Sequence, residues 1–361
     1  MHGGDITGYE KKGIRIDYDF SVNTAPFGMP DKIRDALYGY IKGEGLSRYP
    51  DPYCLKLREA LAEKLNVNIN CVVTGNGSSD LIYRLVKALK NADNKRQALA
   101  LIAEPAFSEY EKALSEEGYI TDHYYCSREH SFCIREDIYH HLEENDYRIV
   151  FIANPSNPAG TLTDKDTLLK ILKICEKRDT FLVLDECFMG FVEKEEDHSL
   201  INEIKNHKRL IIPSSFTKLY CMPDVRIGYM VCSDETLSES VLNTGQPWAV
   251  SGLSQAAAKA ALSLSDDEYR LGIVRHLKDE RDKMSKFLSD QGAWVSGGQA
   301  DYLMFYHPVE GLFDALLKRG ILIRDCSDYR GLGRGYYRIC IKTGEEDQVF
   351  KDAFTEIING T

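Results

Sequence analysis

From about residue 30 to about residue 231, two hydrophobic rhythms take turns along the chain. Residues 31–42 (DKIRDALYGYIK), 53–65 and 79–90 carry apolar positions at helical spacing, which predicts amphipathic helices. Between them lie short apolar runs: CVVTG at 71–75, ALALIAEP at 98–105, RIVFIANP at 148–155, FLVLDE at 181–186, RLIIPSS at 209–215 and IGYMVC at 227–232. These runs are rich in Val, Ile, Leu and Phe and do not alternate strictly. Strands buried on both faces of a mostly parallel sheet read this way, with helices such as 164–178 between them.

Beyond about residue 233 the texture changes. A Pro-free, Ala-rich helical stretch covers roughly 252–290, longer than an average single helix. Strand-like segments beginning at Trp294, Tyr302, Ile321 and Tyr336 follow, with helices expected at about 310–319 and 345–359. The first 25 residues show little helical pattern and read as an arm lying across both lobes. The expected class is α/β: a large three-layer domain with a mostly parallel central sheet over 26–250, and a small α+β domain formed by 251–361 and the arm 1–25.

Composition narrows the function. The 361 residues carry 45 Lys plus Arg against 56 Asp plus Glu, a net charge of −11, which argues against general nucleic-acid binding. No apolar run approaches a membrane span of about 20 residues, and the N-terminus lacks a signal-peptide core, so the expected location is the cytoplasm. The ten cysteines include no C-x-x-C pair and the nine histidines no H-E-x-x-H. Reduced thiols and no metal site are expected.

In an open parallel sheet, ligands bind beyond the carboxyl ends of the strands. Five apolar runs here end in polar or Gly-rich segments: Gly75-Asn76-Gly77-Ser78-Ser79-Asp80, Glu104-Pro105-Ala106-Phe107, Asn154-Pro155-Ser156-Asn157-Pro158, Asp185-Glu186, and Ser214-Ser215-Phe216-Thr217-Lys218, with Arg226 eight residues further on. Singly, each has a plain reading as a turn, a helix cap or a solvated charge. Jointly they supply an anion-binding helix N-terminus, a buried carboxylate, a lysine and an arginine at one sheet edge. Pyridoxal phosphate requires that set: a lysine for the Schiff base, a carboxylate to keep the pyridine nitrogen protonated, and amides, hydroxyls and Arg for the phosphate.

On these segments the whole chain resembles the fold-type-I pyridoxal-phosphate enzymes of aminotransferase class I/II. The resemblance implies pyridoxal 5′-phosphate as cofactor, Lys218 as the Schiff-base lysine and Asp185 as partner of the pyridine nitrogen. It further implies Asn157 at the phenolic oxygen, Phe107 stacked on the ring with Tyr110 close by, and a phosphate site of Gly77, Ser78, Ser79, Ser215, Thr217 and Arg226. Arg338, in YYRICI, resembles the arginine that takes the substrate α-carboxylate, with Asn23 and Asn157 beside it. The segment Arg48-Tyr49-Pro50-Asp51-Pro52 resembles one whose tyrosine reaches the cofactor phosphate of a neighbouring subunit, so Tyr49 implies a homodimer with shared active sites.

Two branches of the class resemble the chain most: threonine-phosphate decarboxylase and histidinol-phosphate aminotransferase, both acting on phosphorylated substrates. His2-Gly3-Gly4 and Phe188, where most aminotransferases carry Tyr, favour the decarboxylase branch, as does Arg324, which resembles a further phosphate-contacting arginine. The expected function is therefore decarboxylation of a phosphorylated or phosphonylated amino acid, placed ahead of transamination of the histidinol-phosphate type, and ahead of a cofactor-binding protein without turnover. One departure fits neither branch. Asp224 stands where the family usually has Gly, a position expected to be costly if its φ is positive.

Overall fold

The structure is a computed structural model that describes residues 3–92, 98–265 and 269–360. Its strands, in chain order, are β1 (Tyr18–Asp19), β2 (Val72–Gly75), β3 (Leu99–Glu104), β4 (Ile120–Tyr125), β5 (Tyr147–Ala153), β6 (Phe181–Asp185), β7 (Leu210–Ser215), β8 (Gly228–Cys232), β9 (Trp294–Val295), β10 (Tyr302–Tyr306), β11 (Ile321–Leu322), β12 (Arg324–Asp325) and β13 (Tyr336–Cys340). Its helices are α1 (Ile6–Glu10), α2 (Asp31–Lys42), α3 (Leu55–Lys64), α4 (Gly77–Ala92), α5 (Glu109–Glu116), α6 (Ile138–Glu144), α7 (Lys165–Lys177), α8 (Glu235–Thr244), α9 (Gly252–Leu262), α10 (Leu271–Asp290), α11 (Leu312–Leu317) and α12 (Gly344–Ile358).

Seven strands form the main sheet in the order β2-β8-β7-β6-β5-β3-β4. Adjacent strands from β7 to β4 are parallel, and only β8 runs against its neighbours, pairing Gly75↔Gly228 on one side and Ser215↔Gly228 on the other. The start of β8 therefore lies at the edge where the other strands end. This reversal brings Arg226, two residues before β8, to the same edge as Lys218.

Alternate residues of each strand enter two different cores, as pleating requires. Ile149 and Phe151 of β5, with Val183 of β6, pack against α4, α5 and α8 through Leu85, Leu114 and Val241. Val150 and Ile152, with Leu182 and Leu184, pack against α6 and α7 through Leu142, Leu168 and Leu172. Burying one such side chain stabilises by roughly 1.5–3 kcal/mol. Both faces are dry, hence runs without polar alternation. Helix α7 starts where Asp164 accepts a hydrogen bond from Thr167 N at 2.8 Å, an ordinary N-cap.

The second sheet is antiparallel, ordered β12-β13-β10-β9, and β1 pairs in parallel with β11. The arm is tied to this lobe by backbone bonds from Phe20 N to Leu322 O and from Cys340 N to Phe20 O, each 2.8 Å. Phe20 itself is fully buried among Phe350, Phe305 and Ile339.

The long helical stretch expected over 252–290 is two helices. Helix α9 buries its small residues Ala257, Ala258 and Ala261 against Ile33, Leu57 and Leu61 of α2 and α3. Helix α10 buries Ile273, Leu277, Met284 and Leu288 in the core of the second sheet. One straight rod cannot present these two faces to two separate cores, and the chain breaks at Ser263-Leu264-Ser265.

Candidate active site

A cavity of about 410 Å³ opens at the carboxyl edge of the main sheet. Its walls bring together Gly77, Ser78, Ser79, Phe107, Tyr110, Asn157, Asp185, Phe188, Ser215, Thr217, Lys218 and Arg226 from the large lobe, with Asn23 from the arm and Arg338 from β13. Each large-lobe residue sits at or just past the end of a strand, except Arg226, which precedes the reversed β8.

Asp185 ends β6, where the strand leaves the dry interior. Its Oδ2 accepts from Tyr110 Oη at 2.6 Å and its Oδ1 from Cys187 N at 2.9 Å. The Tyr110 ring is buried, stacked on Phe151 with centroids 4.9 Å apart, and edge-on to Phe107 at 5.8 Å. Burial, then the adjacent Asp185 charge, pushes the Tyr110 hydroxyl pKa well up, so it stays a hydrogen-bond donor. A carboxylate so held keeps its orientation.

Lys218 lies in the loop after β7, its Nζ 5.6 Å from the centre of the Phe188 ring. Burial lowers its pKa, and Asp301 is the largest influence opposing that fall. A desolvated lysine of this kind is a better nucleophile near neutrality than a solvated one. Phe188 is itself buried, edge-on to Tyr302 at 5.0 Å, and offers no hydroxyl to the cavity.

The anion-binding end is the N-terminus of the 16-residue helix α4. Gly77 takes φ +84°, and a Cβ there would stand 2.8 Å from Arg226 Nη2. Gly228 is equally constrained, since its Cβ would lie 2.5 Å from Ser78 N. Two glycines thus let the reversed strand and the guanidinium approach the free amides of the helix start, which favour an anion. Ser215 Oγ accepts from Thr217 N at 3.0 Å, fixing the turn before Lys218.

Across the cavity, Arg338 donates from Nη1 to Asn157 Oδ1 and from Nη2 to Ser21 O at 3.0 Å. Its Nε is buried without a partner, and so is Asn23 Oδ1. Buried polar atoms are rarely left so. An anionic ligand reaching Arg338 would satisfy the donor.

Other expected residues fall elsewhere. Tyr49 is 79% exposed and packs on Trp248, with ring centroids 4.6 Å apart, away from the cavity of its own chain. Arg324 lies outside the cavity lining; its Nη2 donates to both oxygens of Asp328, at 2.8 and 3.0 Å, and its guanidinium covers the Tyr329 ring at 5.0 Å. His2 lies outside the described residues. Asp224 is exposed on the turn 223–225 and its φ is not positive. The expected strain therefore falls on other residues of that loop, Cys221 with φ 46° and Arg226 with φ 54°. Tyr329 lines the cavity without having been singled out in the sequence, because it stands in an irregular loop with no periodic signal. Asp301, buried behind the wall, was also passed over; it looks like the polar residue before a strand.

The residues present fit pyridoxal phosphate. The Gly77 cradle suits a phosphate, Asp185 a protonated ring nitrogen, Lys218 an aldehyde, and the open Arg338 Nε a carboxylate.

A family profile described as Aminotransferase class I and II matches residues 15–354. The threonine-phosphate decarboxylase of Salmonella typhimurium is 29% identical, covering 99% of this chain and 97% of its own. The histidinol-phosphate aminotransferase of Bacillus velezensis is 28% identical, over 96% of this chain and 93% of its own. The crystal structure of the histidinol-phosphate aminotransferase from Clostridium acetobutylicum superposes with a TM-score of 0.86 at 27% identity, covering 95% of this chain and all of that one.

Proposed function

The chain belongs to the aminotransferase class I and II family, and from that premise we propose that it is a pyridoxal-phosphate enzyme decarboxylating a phosphorylated or phosphonylated amino acid, as threonine-phosphate decarboxylases do. The observation that carries this reading is the convergence of Lys218, Asp185, Asn157, Arg226 and Arg338 on one cavity. Phe188 in place of a hydroxyl-bearing ring, and the similarity over 99% of this chain to a threonine-phosphate decarboxylase, support that branch.

Ser78, Ser79, Ser215, Thr217 and Arg226 would hold the cofactor phosphate, Asp185 the ring nitrogen and Asn157 the phenolic oxygen. The chemistry supplied when the cofactor is bound is an electron-accepting ring joined to the substrate amine. Lys218 would hold the cofactor's aldehyde, and its amine is the group that would hold or return a proton at Cα. Phe107 and Tyr110 exclude water from one side of the site. Arg338 binds the α-carboxylate and so determines which bond at Cα is presented for cleavage. Arg324, released from Asp328, would meet the substrate phosphate.

A second reading, transamination of the histidinol-phosphate type, is supported by the TM-score of 0.86 to such an enzyme. A homodimer fits the exposed Tyr49, Leu46 and Tyr53, which lie close together in the chain, with Tyr49 reaching the partner's cofactor phosphate. The expected location is the cytoplasm.

Incubation with O-phosphothreonine, and separately with histidinol phosphate plus 2-oxoglutarate, decides between the two reactions. Carbon dioxide release without oxo-acid consumption is expected; glutamate formation would establish the second reading. A colourless protein that ignores added pyridoxal phosphate would overturn both.

A further inference from the structure

Asp301, immediately before β10, is fully buried, and its Oδ1 has no hydrogen-bond partner. Among the described residues, its Oδ2 meets the Cys340 thiol, at a Sγ to Oδ2 distance of 3.9 Å. The charged side chains among the described residues whose field acts on it most are cationic: Lys218 from the loop after β7, Arg338 on β13, Lys342 just beyond that strand, and Arg281 on α10. Cys340 is the titratable thiol against it. The next residue, Tyr302, packs its ring on Phe188 and under the Arg338 guanidinium at 5.3 Å. Asp301 thus stands one residue behind the cavity wall, unused by the chemistry above.

A buried carboxylate with one oxygen unpartnered and a thiol on the other is costly as an anion, and burial does raise its pKa, to about 6, with Lys218 the largest opposing influence. The nearby cations offset part of that cost. The dependence is mutual, because Asp301 is also the largest influence keeping a proton on Lys218.

We propose that Asp301 is a positioning residue of the active site: an ionised counter-charge, sealed behind the wall, that acts on the Lys218 amine through space and sets when Lys218 loses its proton. The functional meaning rests on Lys218 being the reacting amine. The electrostatic claim does not.

The test follows the amine directly. Protein treated with hydroxylamine, which frees Lys218 from any carbonyl compound, is pulsed with acetic anhydride across a pH series, and the Lys218 peptide is quantified by mass spectrometry. In Asp301→Asn the midpoint falls by about one pH unit, making Lys218 about tenfold more reactive at a fixed pH below it. Asp301→Glu restores the wild-type midpoint. An unchanged midpoint in a folded Asp301→Asn protein overturns the proposal. If that variant does not fold, wild-type protein labelled with [γ-13C]aspartate decides: Asp301 must resonate as a carboxylate at neutral pH, and a protonated signal there overturns the proposal. Failure to bind pyridoxal phosphate would sink the function above while leaving this outcome readable.

Discussion

On the sheet side of the cavity, Asp185 has both oxygens engaged, by Tyr110 Oη and Cys187 N, whereas on the opposite side Arg338 keeps Nε free and Asn23 keeps Oδ1 free. The first side is finished before any ligand arrives, as suits a group that stays through many turnovers. The second is left with open hydrogen-bonding capacity, as suits a substrate that comes and goes. Preorganised polar groups cost no rearrangement at the moment of reaction, while an unsatisfied buried donor is stabilised when its anion binds.

The largest expected effect on this contrast comes from the sheet side. Lys218→Ala abolishes the yellow absorbance of the bound cofactor and lowers turnover by about 10³-fold or more, measured by spectroscopy and by product release. Next, Arg338→Ala raises KM so that kcat/KM falls by roughly 10–100-fold, the worth of a charge-assisted bond. Cofactor affinity should change less than about threefold; equal losses of both would erase the distinction between the two sides. Smaller again is Tyr110→Phe, which removes one donor to Asp185. A loss of about 1 kcal/mol in cofactor binding is expected by fluorescence titration, and no loss would show that the Asp185 site does not depend on being finished.

The smallest effect concerns stability rather than activity. Asp347, fully buried near the start of α12 with Oδ2 unpartnered, has its pKa pushed by burial from 3.8 to about 7. The folded value lies above the unfolded one, so the neutral form carries the stabilisation. That contribution is full below about pH 3.8 and disappears as the pH rises through about 7. Asp347→Asn should remove this decline, leaving a variant whose stability changes less than that of wild type between about pH 4 and pH 7, by urea unfolding at two pH values. A parallel decline in both proteins would assign the slope to other groups.

Much of the sheet side was legible in the sequence because its residues follow apolar runs. Asn157, Asp185 and Lys218 each come shortly after a stretch whose composition marks a doubly buried strand, and the edge rule then places them together. The opposite side has no such rule. Arg338 stood out only through the family resemblance, Tyr329 sits in an aperiodic loop, and Asp301 carries no local sign that it is fully buried beside the cavity wall. The division of 252–290 into two helices was likewise hidden, since both halves are good helix formers. Only their partners, α2 and α3 for one and the second sheet for the other, require a break.

Local pattern therefore determined six of the seven strands of the main sheet, all but the half-exposed edge strand β4, together with most helices and the side of the sheet on which chemistry gathers, because periodicity and strand ends are properties of neighbouring residues. Tertiary structure alone decided that β8 runs backwards, that Arg324 is held by Asp328, and that Asp301 is buried with Oδ1 unpartnered. Those outcomes depend on which distant segments share a space, and the free energy of a buried charge depends on every group around it.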